Sequence, residues 1–152
     1  MFEFLRIHQL NIMLVLSGIC AILSLFVFIT KTLSKKRKVI LIFMELSAAF
    51  LLIFDRFAYI YRGDVSTTGC WMVRISNFWV YFLSLFVIFT FNHYLKDLFT
   101  HEGGLKTAPT ALKIVDALIL VGEIMIILSA FTGIYYTFDE YNQYHRAPLF
   151  IL

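Results

Sequence analysis

The sequence predicts an all-α, polytopic transmembrane helix bundle with four spans plus the start of a fifth. Three observations carry that expectation. Hydrophobic residues make up 61% of the 152 residues, against about 45–50% in soluble domains. Charged residues fall to 15%, against about 25%. The apolar residues also gather in long continuous runs rather than alternating with a period of two. A soluble fold of this length could not hide so much apolar surface, and disorder, collagen and a disulfide-stapled secreted scaffold are excluded with it.

A span takes about 20 residues, because each rises ~1.5 Å through a ~30 Å hydrocarbon core. Residues 12–30 meet that length without a charge. The run is too long for the apolar part of a signal peptide, and no A-x-A site follows it. Residues 39–61 form the second run, interrupted by Glu45, Asp55 and Arg56. Residues 71–95 form the third, with Arg74 near its start and Asn92 and His93 near its end. Residues 114–136 form the fourth, with Asp116 at its entrance and Glu123 inside. After Pro148 a new apolar run opens at 149 and reaches only Leu152. It is too short to span, which reads as the front end of a longer protein. Hydrocarbon offers backbone groups no partners, so each run should be helical. The joints are 31–38, 62–70, 96–113 and 137–148, and Gly103, Gly104 and Pro109 mark the third as a break. The whole chain, 1–152, reads as a single membrane domain.

Cys20 and Cys70 lie in or beside different apolar runs with no CxxC spacing, so both read as free thiols. The four histidines, at 8, 93, 101 and 145, are isolated, and no zinc spacing is present. Asp139, Glu140 and His145 make a weak metal set, and no metal site or cofactor is expected.

Charge placement orients the spans. The first joint holds Lys31, Lys35, Lys36, Arg37 and Lys38, and the third holds Lys96, Lys106 and Lys113. Only Arg6, Arg62 and Arg146 lie on the other side. Joints 31–38 and 96–113 are therefore expected in the cytoplasm, with the amino terminus outside a plasma membrane. The basic run has a second meaning, a patch for lipid headgroups or a partner, although topogenesis alone accounts for it. A net charge of +3 concentrated in those joints is no nucleic-acid signature.

Ionisable groups inside a span cost about 2.5–3.5 kcal/mol each on insertion scales, so each needs a partner or a purpose. Glu45 and Glu123 lie at similar depths from the cytoplasmic side, and Asn92 and His93 leave the third run near that level. Those four could form an intramembrane polar cluster that carries a proton or a cation. A buried polar lock between helices explains them better. Toward the outside, Arg74, Asn77, Tyr81 and Ser84 fall at helical spacing on one face. With Arg56 they suggest either a small cavity for an anionic or polar ligand or an Asp55–Arg74 ion pair that fixes helix order. The last joint packs Tyr135, Tyr136 and Phe138 against Asp139, Glu140, Asn142, Tyr144, His145 and Arg146. An interfacial aromatic belt explains the aromatics. The dense polar run from Asp139 to Arg146 reads equally as an ordered loop or as a lid over a ligand site.

The segments FMELSAAFLLIFDRFAYIYRGD (43–64), WMVRISNFWVYF (71–82) and FTGIYYTFDEYNQYHRAPLF (131–150) resemble the amino-terminal multi-helix sensor region of certain Firmicute signalling proteins. The resemblance covers about residues 12–152, and its sharpest part is FTGxYYxFDxxNxYxRxP. In that family such regions precede diguanylate cyclase, cyclic-di-GMP phosphodiesterase or histidine kinase domains. It implies a sensor, a cytoplasmic output in cis or trans, and further helices. No output domain is present in these residues: Gly103-Gly104-Leu105-Lys106 lacks the acidic residues of a GGDEF signature.

No enzyme is expected, because there is no nucleophile beside a base, no HExxH and no phosphate-cradling loop. The expected function is detection of an extracellular or membrane-borne cue, relayed by helix repacking. Candidate ligand-binding residues are Arg56, Arg74, Asn77, Asp139, Asn142, Tyr144 and Arg146. The partners are the lipid bilayer, that unidentified ligand and a cytoplasmic signalling domain; a homodimer stays open. The alternative is a small proton-coupled transporter using Glu45 and Glu123. Against it, the spans show no inverted repeat and no Gly- or Pro-broken half-helix.

Overall fold

A computed structural model describes residues 2–105 and 107–147, with side chains from residue 8 onward. Four α-helices follow one another: α1 (Phe2–Ile29), α2 (Lys35–Ile60), α3 (Thr67–His101) and α4 (Thr110–Thr132). A short antiparallel hairpin, β1 (Tyr136–Phe138) and β2 (Tyr144–Arg146), closes the described chain. The described residues are thus all-α apart from six strand residues. The expected start of a fifth span, 149–152, lies outside the described residues.

Among the described residues, three helices are long and apolar enough to cross a membrane: His8–Ile29, Thr67–His101 and Thr110–Thr132. The remaining helix, α2, is long enough, at 26 residues, but seven charges dilute it: Lys35, Lys36, Arg37, Lys38, Glu45, Asp55 and Arg56. Its place in the packing accommodates them. The helices pack in chain order, α1 on α2, α2 on α3 and α3 on α4. The polar helix therefore has a helix on either side, while the most apolar ones, α1 and α4, take the ends of the row.

The helix ends follow local chemistry. Ser34 and Ser66 sit in extended backbone and accept the amide N–H groups of Arg37 and Gly69, capping α2 and α3. Gly133, at φ +67°, ends α4 in the left-handed region that glycine adopts without strain. That stop falls earlier than the expected end at 136, and it frees the chain to turn into the hairpin.

Small residues form the helix contacts. Buried positions on α3 include Gly69, Ser76, Leu83, Thr90 and Asp97, each seven apart, with Val73 and Asn92 beside them. On α1 the buried residues include Ser17 and Ser24, on α2 Ser47 and Ala49, and on α4 Ser129. The Ser17 hydroxyl donates to the Ala49 carbonyl at 3.0 Å, joining α1 to α2. Gly122 on α4 lets Leu85 approach so closely that a Cβ there would lie 2.7 Å from its Cδ1. Such residues let backbones meet where lipid supplies no hydrophobic drive between helices. Many large apolar side chains point outward instead: Phe26 is 63% exposed, Phe28 67% and Leu118 66%.

The basic end is tied by charge. Asp97, at 3% side-chain exposure, pairs with Arg37 at 2.7 Å and Lys36 at 2.9 Å. Arg37 also pairs with Glu102. The Lys38 ammonium donates to the Phe28 carbonyl at the end of α1. On the other side of α3, Asp116 pairs with Lys96 and accepts from Asn92. Cys20 and Cys70 are free thiols.

Candidate outer-face ligand site

At the end opposite the basic run, three segments meet. The α2–α3 turn is folded by Asp64, whose carboxylate accepts the Ser66 amide at 2.9 Å and is held below the usual carboxylate range by it. The hairpin turn is folded by Asp139. One carboxylate oxygen accepts the amides of Tyr141 and Gln143 at 3.0 and 2.8 Å, and the other meets His145 Nε2 at 2.8 Å. The amide of Gln143, with His145 beside it, pulls the Asp139 carboxyl below the ordinary 3.8. Asn142, at φ +55°, is 2% exposed. Its side-chain amide donates to the Asp64 carbonyl at 2.8 Å, and its own carbonyl accepts from Gly63. The hairpin is thereby pinned to the α2–α3 turn.

Register decides which hairpin side chains face the helices. Tyr136 pairs with Arg146, Thr137 with His145 and Phe138 with Tyr144, so Tyr136, Phe138, Tyr144 and Arg146 share one face. That face lies on α3. Tyr81 stacks on Tyr136 at 5.5 Å between centroids, and its hydroxyl meets that of Tyr144 at 2.5 Å. From α4, the Ser129 hydroxyl accepts the amides of Tyr135 and Tyr136.

Beneath this cover lies a polar cavity of about 430 Å³, lined by Asp55, Ala58, Tyr59 and Arg62 of α2 and its C-terminus, Val73 and Asn77 of α3, and Tyr144, His145 and Arg146 of β2. Asn77, in the lining, donates its side-chain amide to the Val73 carbonyl at 2.8 Å. Two guanidinium groups, an amide, two phenols and an imidazole share this space with one carboxylate. That set suits a small anion with hydroxyl or carbonyl groups.

Of the residues expected here from sequence, Asn77, Tyr144 and Arg146 line the cavity. Arg74 does not. Its guanidinium lies over the Phe138 ring at 5.9 Å, in a separate, mostly apolar cavity of about 660 Å³ between α3, the end of α4 and β1. The expected stripe from Arg74 to Ser84 therefore splits: Arg74 and Asn77 open into different cavities, Tyr81 holds the hairpin, and Ser84 donates to its own helix at Val80. Among the described residues no Asp55–Arg74 ion pair forms. Arg56 has its Nε buried without a partner and does not line the cavity, while Asp139 and Asn142 are engaged in folding the hairpin. Tyr59 and Arg62 were not expected, and His145 was expected only as part of the polar run from Asp139 to Arg146. Asp55, Ala58, Tyr59 and Arg62 fall at i, i+3, i+4 and i+7, a one-face helical signature that could have revealed them.

The four-residue intramembrane cluster separates as well. Asn92 turns to Asp116 and the Leu112 carbonyl. His93 lies edge-on to Phe89 at 4.4 Å. Glu45 of α2 lies beside Cys20 of α1, and Glu123 of α4 has one oxygen buried without a partner. The polar link between α3 and α4 is instead Asn92–Asp116–Lys96. No protein-family model, curated protein or solved structure matches this chain.

Proposed function

We propose that the chain is a membrane sensor or receptor-like region whose outer cavity takes a small anionic cue. In this reading all four helices cross the bilayer, with the amino terminus and the hairpin outside and joints 31–38 and 96–113 in the cytoplasm. The excess of lysine and arginine in those joints supports that orientation. The crossing of α2 is supported by its neighbours, since its polar groups can be sheltered by α1 and α3 rather than by lipid. The resemblance of residues 12–152 to sensor regions points the same way.

The observation that carries the proposal is the cavity in which Arg62, Asn77 and Arg146 converge under a hairpin fixed to α3. The relay would run through α3. Its 35 residues make a rod of about 52 Å, touched by the hairpin at Tyr81 and clamped to α2 at Asp97. A ligand that pulls Arg146 and Tyr144 toward Asn77 favours one setting of that rod, and it can shift the equilibrium only by its difference in affinity between settings. A cytoplasmic output, in cis or in trans, would read the inner end.

Trp71 and Trp79, both on the outer half of α3, line the neighbouring apolar cavity and report a change in the setting of that helix. In nanodiscs, their fluorescence should respond to one of acetate, citrate or inorganic phosphate and lose that response in Arg62→Gln and Asn77→Ala. Silence toward all three anions, or equal responses in the variants, overturns the reading. Proton-coupled transport through Glu45 and Glu123 has less support, because those residues lie on α2 and α4, which are not a main packing pair.

A further inference from the structure

The five basic residues of the first joint do not all have the same task. Arg37 is taken by Asp97 and Glu102, Lys36 by Asp97, and Lys38 by the end of α1. Among the described residues Lys31 and Lys35 make no ion pair. Topogenesis needs only the charge, so it does not explain what lies next to Lys35.

That neighbour is a groove of about 630 Å³ between the first turns of α2 and the inner part of α3. Lys35 and Lys36 stand at its mouth. Below them the walls are Val39, Ile40 and Phe43 on one side and Phe86, Phe89 and Thr90 on the other, with His93 nearer the mouth. Thr90 spends its hydroxyl on carbonyls of its own helix, so the lower walls offer a ligand only apolar surface. Val39 and Phe43 remain 51% and 54% exposed. From Lys35 to Phe43 the wall runs eight residues, about 12 Å along the helix.

We infer that this groove holds one anionic phospholipid, with its phosphate at Lys35 and Lys36 and an acyl chain along Val39, Phe43 and Phe86. Charge and apolarity are ordered along the groove as they are along a lipid: cations at the level where α2 leaves the bilayer, hydrocarbon beyond. A soluble anion would use the lysines and leave the apolar walls wet. A zwitterionic lipid would fill the walls and gain little from Lys35. The ion pair of Lys36 with Asp97 orients that ammonium at the mouth while leaving it 68% exposed. The inference rests on the proposed crossing of α2 but not on the sensing proposal, since it concerns the other end of α2 and α3.

The test uses the full chain reconstituted in phosphatidylcholine vesicles with and without phosphatidylglycerol, then released for native mass spectrometry. One phosphatidylglycerol should be retained in preference to phosphatidylcholine. Lys35→Gln should reduce that preference about fivefold, the equivalent of the ~1 kcal/mol that a basic residue gains near an anionic surface. Val39→Trp keeps every charge but fills an exposed wall, and it should lower retention by a similar factor. Equal retention of the two lipids overturns the inference. So does unchanged retention in Val39→Trp, which would mean attraction by surface charge alone. Displacement by inorganic phosphate would assign the site to a free anion and also overturn it.

Discussion

Ser129 is 2% exposed, and its hydroxyl accepts two backbone amides, those of Tyr135 and Tyr136. It stands in the last turns of α4 and reaches these amides, which would otherwise be orphaned, where the chain passes from Gly133 into the hairpin. Ser129→Ala should therefore cost about 1–3 kcal/mol, the range for a buried donor left unsatisfied, measured as a fall in stability of the reconstituted protein. Ser129→Thr keeps the oxygen and should recover most of the loss. Asp139 makes a different prediction. Its folded pKa lies below the ordinary 3.8 because the charged form accepts amides and faces His145. Its contribution is fully present above the unfolded value and is lost as pH falls through the folded one. Amide exchange at Thr137 and His145, corrected for its intrinsic pH dependence, should thus hold constant down to about pH 4 and speed up below it. Asp139→Asn should remove that pH step. A step persisting in Asp139→Asn would assign it to another group.

At the scale of elements, two glycines that look alike in sequence should behave differently. A Cβ on Gly122 would lie 2.7 Å from the end of the Leu85 side chain, which can change rotamer. A Cβ on Gly69 would lie 2.6 Å from the Asp64 backbone oxygen and 2.4 Å from its Cγ, in a turn already fixed by Ser66 and Asn142. Gly69→Ala should lower stability by about 1–3 kcal/mol, the cost of overpacking, whereas Gly122→Ala should cost clearly less. Equal losses in thermal unfolding would contradict this account. The apolar runs made all four helices legible in the sequence, because a run of such length has few alternatives. Their ends were less legible. The third helix continues to His101 because Asp97 buries its charge against Arg37 and Lys36, and no single-helix pattern reveals a partner sixty residues away. The hairpin was hidden because three-residue strands carry too little alternation to read, although Asp139 and Asn142 marked its turn.

At the scale of the molecule, the sequence fails where it is asked which helices meet. Equal depth placed Glu45 and Glu123 at one level, but depth says nothing about adjacency, and the helices pack in chain order. Likewise, residues three apart on a helix differ by about 60° in direction, enough for Arg74 and Asn77 to open on opposite sides of one contact. The segregation of the two ends survives that failure and yields a test of orientation. The basic joint and the hairpin lie at opposite ends of helices longer than the ~30 Å hydrocarbon core, so they should lie on opposite sides of a membrane. In a background of Cys20→Ala and Cys70→Ala, single cysteines at Thr32→Cys and Gln143→Cys place an exposed thiol at each end. A membrane-impermeant maleimide applied to intact cells should label Gln143→Cys and reach Thr32→Cys only after lysis. The reverse pattern would put the cavity on the cytoplasmic side, where Arg62 and Arg146 would meet cytosolic anions, and would end the proposal of an external cue. Labelling of both thiols in intact cells would remove the membrane-spanning arrangement itself.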